Sequence, residues 1–498
     1  MSRKMPIFYG ALLLTAVNLL LRFVGTSFQV YLSGRIGAEG IGLLQLVMSV
    51  GSMAMVAGMG GIRTATMYLT AEELGRKHPE RVVWVLSGCV LYSVCVSTCI
   101  ALGIYYFAPY IARVWVQRTD TLTSIRLFAA FLPVNCLCGV MVGYFTGANR
   151  IGTLAAVEVA EQLLNMLCTI GLLTFWAGHD TVRSCQAVIL GSGLSACLTL
   201  SALVILRLRE KGESASPIPI ANRLCRTAIP LALADDLRTG ISTVENLMVP
   251  QRLALYQGLQ SPLAAFGTVC GMVFPILMFP AGLLFGLTEL LIPELARCHV
   301  SGSKRRIQYL ARQSLRVALL FATACSLVLY LSASELCQRF YKSETAGMYL
   351  KWFAPLAVML YCDAVTDAMI KGLGHQRASV RYNIFTNVMD VVLLYIFLPK
   401  WGIFGYFLSF TLTHAINFIL SIRKLVTITD LSPRLHIPAL TVASALVSTH
   451  ICSLVPQPFP RAFLSLTVLG SLLTLFGVIQ KEDFLWLKNL IYAKSRPA

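Results

Sequence analysis

Apolar residues fall in long runs broken by short polar segments, and nearly every run reaches the roughly 20 helical residues that a bilayer core requires. Against that length the runs predict helices at 7–32, 41–69, 82–107, 122–146, 151–176 and 184–208. A linker rich in Ser, Pro and charge, Arg207 to Ala221, separates them from a second set at 223–256, 263–295, 311–337, 346–371, 378–399 and 402–425. Two further runs, 436–455 and 460–480, precede a basic tail. The pattern predicts an all-α polytopic membrane protein of about fourteen transmembrane helices. Its expected divisions are a six-helix N-lobe at 1–213, a six-helix C-lobe at 214–426, and two C-terminal helices with a basic cytoplasmic tail at 427–498.

Polar positions inside the runs suggest a duplication. Gly147-Ala148-Asn149-Arg150 and the helix after it correspond, at a constant offset, to Gly372-Leu373-Gly374-His375 and the helix that follows. Under that offset Glu158, Gln162 and Asn165 meet Asn383, Asn387 and Asp390, each trio spaced i, i+4, i+7 on one helical stripe. Six helices per copy give both copies one orientation, the parallel type of transporter repeat around a central cavity.

Composition narrows the class. Of 498 residues, 56% are hydrophobic and only 13% charged, which excludes an ordinary soluble enzyme. The net charge of +18 does not indicate nucleic acid, because Lys and Arg sit mostly between the apolar runs. Arg76, Lys77, Arg81, Arg207, Arg209, Lys211, Lys304, Arg305, Arg306, Arg423, Lys424, Lys481, Lys488, Lys494 and Arg496 fall on one side. The other side holds mainly Arg113, Arg118, Arg183, Arg339, Lys342, Lys400 and Arg461, so both termini are expected to be cytoplasmic and the protein to lie in the cell membrane. Arg3 and Lys4 before Ile7 to Leu21 imitate a secretory signal, yet the run continues past Arg22 to Leu32 without a cleavage site and is expected to be retained. The fifteen cysteines are scattered through apolar runs with no Cys-x-x-Cys, as inert thiols would be.

Ionisable side chains within membrane helices normally face protein or a water-filled cavity, so they mark candidate sites. The first helix carries Asn18, Arg22, Thr26 and Gln29 on one face, with Gly25 beside them. The seventh carries Asp235, Arg238, Ser242, Glu245 and Arg252 at helical periodicity, and Arg63 lies near one end of the second. Arg22, Asn18, Gln29, Arg63, Arg238, Glu245 and Arg252 are the expected substrate-cavity residues. For Arg238 a pair with Asp235 or Glu245 on its own helix is an equal alternative. Asp363, Asp367 and Lys371 follow at i, i+4, i+8 on the tenth helix, where the first copy has Cys138, Val142 and Thr146. Asp363, Asp367 and Asp390 are therefore candidates for coupling to a proton or sodium gradient or to the membrane potential, with an Asp367–Lys371 helix pair as the structural alternative. No other cofactor, no metal and no catalytic constellation is expected: there is no Gly-x-Ser-x-Gly elbow, phosphate loop or metal-ligand pair.

Leu21-Arg22-Phe23-Val24-Gly25 and Gly37-Ala38-Glu39-Gly40-Ile41-Gly42 resemble the opening of the stage V sporulation protein B family, in the polysaccharide-biosynthesis branch of the multidrug, oligosaccharidyl-lipid and polysaccharide flippase superfamily. Val249-Pro250-Gln251-Arg252-Leu253, Gly267, Gly271-Met272, Pro275, Phe279-Pro280 and Leu291-Ile292-Pro293-Glu294 resemble the same family's seventh and eighth helices. The resemblance implies a MATE-like, two-lobed flippase of a lipid-linked oligosaccharide, such as the polyprenyl-pyrophosphate peptidoglycan precursor lipid II, with a role in sporulation. It would have membrane lipids as surroundings and no nucleic-acid partner. A pyrophosphate would be drawn to Arg22 and Arg252 and to Arg63 and Arg238. Relative to related lipid II flippases, Phe28, Met55 and Pro275 stand where arginines are found, and Arg63 stands where the sporulation family more often has proline.

Two other functions compete. A multidrug or cation antiporter of the same superfamily needs acids in its cavity, which Arg22 opposes. A membrane-embedded glycosyl- or acyltransferase needs a catalytic acid or histidine near a soluble loop, and the long inside loops offer only basic residues and Ser. A passive scaffold would not need charged stripes in both lobes.

Overall fold

The structure, a computed structural model, describes residues 7–76, 78–178, 180–209, 221–431, 436–455 and 457–479, and they are helical with no strand. Lys77, most of the inter-lobe linker and the basic tail with Lys481, Lys488, Lys494 and Arg496 lie outside the described residues. Seven helices are long and apolar enough to cross a membrane, nine if each of two bent pairs counts as one span, among the described residues. Side chains such as Phe175 (94% exposed), Tyr106 (80%) and Leu167 (68%) stand on the outside of these helices. Exposed apolar surface of that extent belongs against lipid, and the protein is a multi-pass membrane protein.

In chain order the helices are α1 (Ile7–Met59), α2 (Ile62–Gly75), α3 (Val82–Tyr110), α4 (Leu122–Gly147), α5 (Ile151–Leu172), α6 (Thr181–Leu208), α7 (Ala221–Leu253), α8 (Pro262–Thr268), α9 (Phe274–Met278) and α10 (Ala281–Val300). They continue with α11 (Lys304–Leu331), α12 (Ala333–Tyr341), α13 (Glu344–Phe353), α14 (Leu356–Gly372), α15 (Gln376–Thr429), α16 (His436–Cys452) and α17 (Pro458–Leu475). At 1.5 Å per residue, α1 and α15, 53 and 54 residues long, would each reach roughly 80 Å if straight. Each instead turns at a glycine outside helical geometry, Gly37 (φ 71°, ψ 176°) and Gly402 (φ 57°, ψ −135°).

Several expected single helices are broken. The run at 263–295 bends by 59° between Met278 and Ala281, and the run at 346–371 by 54° between Phe353 and Leu356. Pro280 and Pro355 stand at these bends, where the missing N–H and the ring's clash with the preceding turn stop a continuous helix. The expected helix at 311–337 ends at Leu331, and the short α12 follows separately.

The duplication seen in sequence recurs in backbone detail. α4 ends with N–H bonds from Ala148 to Tyr144, Asn149 to Thr146 and Arg150 to Phe145. α14 ends with the same three, Leu373 to Met369, Gly374 to Lys371 and His375 to Ile370, every residue 225 positions on. Asn149 (φ 56°) and Gly374 (φ 81°) take the left-handed conformation that closes such a helix end. A methyl group at Gly147 would lie 2.5 Å from the Met67 carbonyl oxygen, and one at Gly372 would lie 3.0 Å from that of Ile292, again 225 positions from its counterpart. The matching turns at Gly178 (φ 60°, ψ −123°) and Gly402 are 224 apart instead. A π-helical turn at Leu173–Ala177 precedes Gly178. Such a turn accommodates one extra residue in a helix, which accounts for the change of register.

The helices group into two compact units. One comprises Met1–Gly271 with Val391–Ile403, the other Met272–Asp390 with Phe404–Ala498. In the first, α1 packs along α7 and α8, and α4 lies between α2, α3 and α6. Its core includes the cluster of Ile62, Leu69, Val85, Cys89, Val140, Leu224 and Ala228. At one end Arg118 pairs with Asp120 (3.1 Å) and Glu39 (3.6 Å), and these carboxylates hold its guanidinium above the usual arginine range, Asp120 contributing most. The second unit is filled by an aromatic cluster of Phe274, Phe353, Tyr406, Phe407 and Phe410, while α16 and α17 pack on α11 through Leu327, Leu331, Leu469 and Leu473.

Candidate functional site

Each unit holds polar side chains at membrane depth, and the two sets differ in chemistry. In the first unit Arg22 and Gln29 stand half-buried on α1. Between them Gly25 leaves room for α5: a methyl group there would meet the Gln162 amide nitrogen at 3.7 Å. Gln162 thus brings the α5 stripe against the α1 stripe, and Gln29 donates from Nε2 to the Gly271 carbonyl at 3.4 Å. Arg63, exposed on α2, lies within electrostatic range of Glu158 on α5, and Glu161 follows one turn along the same helix. Gly143 sets the position of Arg63, because α4 passes so close to α2 there that the Arg63 carbonyl occupies the space a methyl group would need. Asn18 lies on α1 with its side chain outside the described set.

The seventh-helix candidates separate. Arg238 is exposed and Glu245 half-buried. Arg252 lays its guanidinium over the Tyr395 ring, Cζ 3.2 Å from the centroid, in a cation–π stack. Neighbouring Gln251 donates to the Trp115 carbonyl at 2.7 Å. Arg252 is therefore anchored by an aromatic face, with a planar group that a phosphate would have to approach edge-on.

In the second unit the acids converge on one stripe. Ser409, Thr413, Asn417 and Ser421, spaced by four along the second arm of α15, are all buried. Asp390 Oδ1 accepts from Ser409 Oγ at 2.6 Å and Thr413 Oγ1 at 3.2 Å. Asp363 Oδ2 accepts from Asn417 Nδ2 at 2.8 Å, and Ser421 faces the same carboxylate. Asp363 Oδ1 and Asn417 Oδ1 are buried oxygens with no hydrogen-bond partner among the described residues. An acid and an amide that each hold back an oxygen suit a proton or a small hard cation. Asp367 is spent differently: Lys371 Nζ lies 2.6 Å from its Oδ2, and Ser379 donates to its Oδ1. The helix pair foreseen for Asp367 is thus formed, one turn from Asp363. No group of three or more His, Cys, Asp or Glu able to hold a metal ion occurs among the described residues.

Sequence reasoning missed the partners rather than the acids. The stripe of Ser409, Thr413, Asn417 and Ser421 was available as a four-residue periodicity of small polar residues, a weaker signal than charge. Tyr395 could not have been joined to Arg252 from sequence, since 143 positions separate them. In sequence Glu158 serves only to align the two copies and Glu161 matches no motif, although both stand on α5, Glu158 within electrostatic range of Arg63 on α2.

Comparison with known proteins agrees with this architecture. The chain is 21% identical over 467 residues to stage V sporulation protein B of Bacillus subtilis (strain 168), covering 91% of this chain and 90% of that protein. Sporulation protein YkvU of the same organism is 19% identical over 274 residues, 53% of this chain and 61% of that protein. Among solved structures, lipid II flippase MurJ in an inward closed conformation superposes with a TM-score of 0.69 at 12% identity, over 93% of this chain and 98% of MurJ. An inward-facing multidrug resistance MATE family transporter of the MOP superfamily gives 0.66 at 15% identity, over 85% and 100%. The family model described as MatE matches residues 15–172 and 253–396, one stretch in each copy of the repeat, and the chain belongs to the MatE family.

Proposed function

We propose that the protein is a membrane flippase that moves a lipid-linked oligosaccharide, a polyprenyl-pyrophosphate glycan of the lipid II type, between leaflets by alternating access. The observation that carries this reading is the wall in the first unit. There Arg22, set about fifteen residues into an apolar helix, shares a polar face with Gln29, and Gln162 of α5 comes against Gly25 between them. A cation at that depth is matched to an anionic head group, and arginine binds phosphate oxygens in pairs. The kinship with stage V sporulation protein B adds sporulation as the setting, with both termini cytoplasmic in the cell membrane.

In this reading α1 and α15 each cross twice, the bent pairs α8–α10 and α13–α14 once, and α3, α4, α5, α6, α7, α11, α16 and α17 once, which makes fourteen. Residues 1–213 and 214–426 then form the lobes that rock, and 427–498 the two added helices with their tail. Asn18, Arg63, Arg238, Glu245 and Arg252 line the substrate path with Arg22 and Gln29. Asp363, through its unpartnered oxygen, is the coupling residue, Asp390 supports the same stripe, and Asp367 is held by Lys371. Cation coupling is shared with the antiporter alternative, so substrate decides between them. The test is reconstitution in vesicles with a fluorescent polyprenyl-pyrophosphate glycan, scoring transfer between leaflets and chemical turnover together. Transfer without turnover, abolished by Arg22→Ala with the protein still folded, is the expected result. Normal transfer by Arg22→Gln, or turnover of the lipid, refutes the proposal.

A further inference from the structure

The order of the repeat and the packing of the helices place α7 differently. By repeat order α7 opens the second copy, yet its first turns are seated in the first. Leu224 (3% exposed) and Ala228 (0%) are buried in one cluster with Ile62, Ala65 and Leu69 of α2, Val85 and Cys89 of α3 and Val140 of α4. Above that seat Arg223 clasps the end of α2, with Nη1 2.8 Å from Glu73 Oε1 and Nη2 2.7 Å from Glu72 Oε2. Arg76 closes the arrangement from the other side, 2.6 Å from Glu72 Oε1. Glu73 is 1% exposed, and its Oε2 has no hydrogen-bond partner among the described residues.

Between α1 and α8 the copies touch through glycine. A methyl group at Gly267 would run into the Ala38 carbonyl, and one at Gly42 would run into the Leu263 carbonyl. Gly42 and Gly267, like Ala38 and Leu263, are 225 positions apart, so the contact is reciprocal, each segment meeting the other through the same two positions of the repeat. From Arg223 to its end at Leu253, α7 runs some thirty residues, roughly 45 Å at 1.5 Å each, before the turn that leads into α8.

We propose that Arg223 on Glu72 and Glu73 is the latch that holds the linker end of α7 onto α2, and that its release, with the glycine crossing as fulcrum, is the step that frees this end of α7. The proposal rests on the two-copy, alternating-access reading. Small residues at the crossing let two backbones pivot at close range, whereas the clasp has two discrete states. Closed, the buried Glu73 carboxylate has its counter-charge. Open, Leu224 and Ala228 leave their seat and Glu73 loses its counter-charge while still buried, a cost that biases the empty protein towards closure.

The test uses the full-length protein in lipid nanodiscs, with spin labels introduced as genetically encoded amino acids at exposed Tyr68 of α2 and Ile229 of α7, leaving the native cysteines in place. Wild type is expected to give one short distance between the labels. Arg223→Gln and Glu73→Gln should each add a longer distance and raise the open-to-closed ratio at least tenfold. Glu72→Gln, which removes half of the clasp at its solvent-facing side, should give an intermediate shift and serves where the buried substitutions fail to fold. Distance distributions unchanged in folded Glu72→Gln and Arg223→Gln protein overturn the latch. Translocation measured in parallel separates the two ideas: wild-type protein that shows the shifts with its variants but moves no glycan lipid sinks the flippase reading and leaves the latch standing.

Discussion

Alanine at Gly267 should destabilise the protein, while alanine at Gly103 should stabilise it, and the opposite signs follow from what the added methyl group meets. At Gly103, inside α3, a methyl group has nothing within 4 Å. The substitution there removes glycine's excess backbone freedom and should gain up to about 1 kcal/mol, the usual helix-propensity difference. At Gly267 the methyl group would lie 2.6 Å from the Gly42 backbone nitrogen, while ordinary contact begins near 3.4 Å. The obstacles are main-chain atoms on a helix, which cannot rotate aside, and the Ala38 carbonyl stands closer still, so α8 must lift from α1 by at least about 0.8 Å. A gap of that size forfeits a quarter to a half of each contact along the seam, and overpacking of this kind costs about 1–3 kcal/mol, enough to exceed the propensity gain. At about 2–4 °C per kcal/mol for a large domain, Gly267→Ala should lower Tm by several degrees and Gly103→Ala should raise it by a degree or more. Gly42→Ala meets the same seam from the other copy. The double variant Gly42→Ala with Gly267→Ala should cost clearly less than the two separate losses, because the first substitution has already parted the helices. Thermal unfolding of purified protein in one detergent, followed by intrinsic fluorescence, provides the comparison. A shift of the same sign and size at Gly103 and Gly267 would refute the backbone crossing.

Asp363→Asn should remove the dependence of transport on one imposed cation gradient while leaving substrate binding intact, and Asn417→Ala should weaken it in the same direction. Flux assays with the proton and sodium gradients collapsed separately check this, and gradient dependence unchanged in both variants excludes Asp363 as the coupling residue. Arg252→Lys should lose transport nearly as fully as Arg252→Leu, since an ammonium keeps the charge but not the planar stack on Tyr395; full activity with lysine would reduce Arg252 to a point charge. Asp180→Ala removes the cap that accepts from the Val182 N–H at 2.9 Å and should cost about 1 kcal/mol, read as a small fall in Tm with flux unchanged.

Much of this protein is legible in one dimension because lipid imposes one-dimensional rules. A helix that must satisfy its own backbone in hydrocarbon announces itself as an uninterrupted apolar run, so the all-α polytopic class follows from run lengths alone. The duplication was legible for a related reason: Gly147-Ala148-Asn149-Arg150 and Gly372-Leu373-Gly374-His375 spell the same helix end, and a helix end is a local event. The proline bends at Pro280 and Pro355 are local too, yet run length alone reads 263–295 and 346–371 as single helices, which the structure bends by 59° and 54°. Partnership was not legible. Whether Asp367 answers to Lys371 and Ser379, or Asp363 to Asn417, depends on which helix passes within 3 Å, and residues up to 54 positions apart in sequence meet there. The seat of α7 is the sharpest case. Repeat order assigns it to the second copy, but Leu224, Ala228 and Arg223 find their apolar and ionic partners on α2, α3 and α4 of the first, because burial is settled by the neighbouring surface and not by position in the chain.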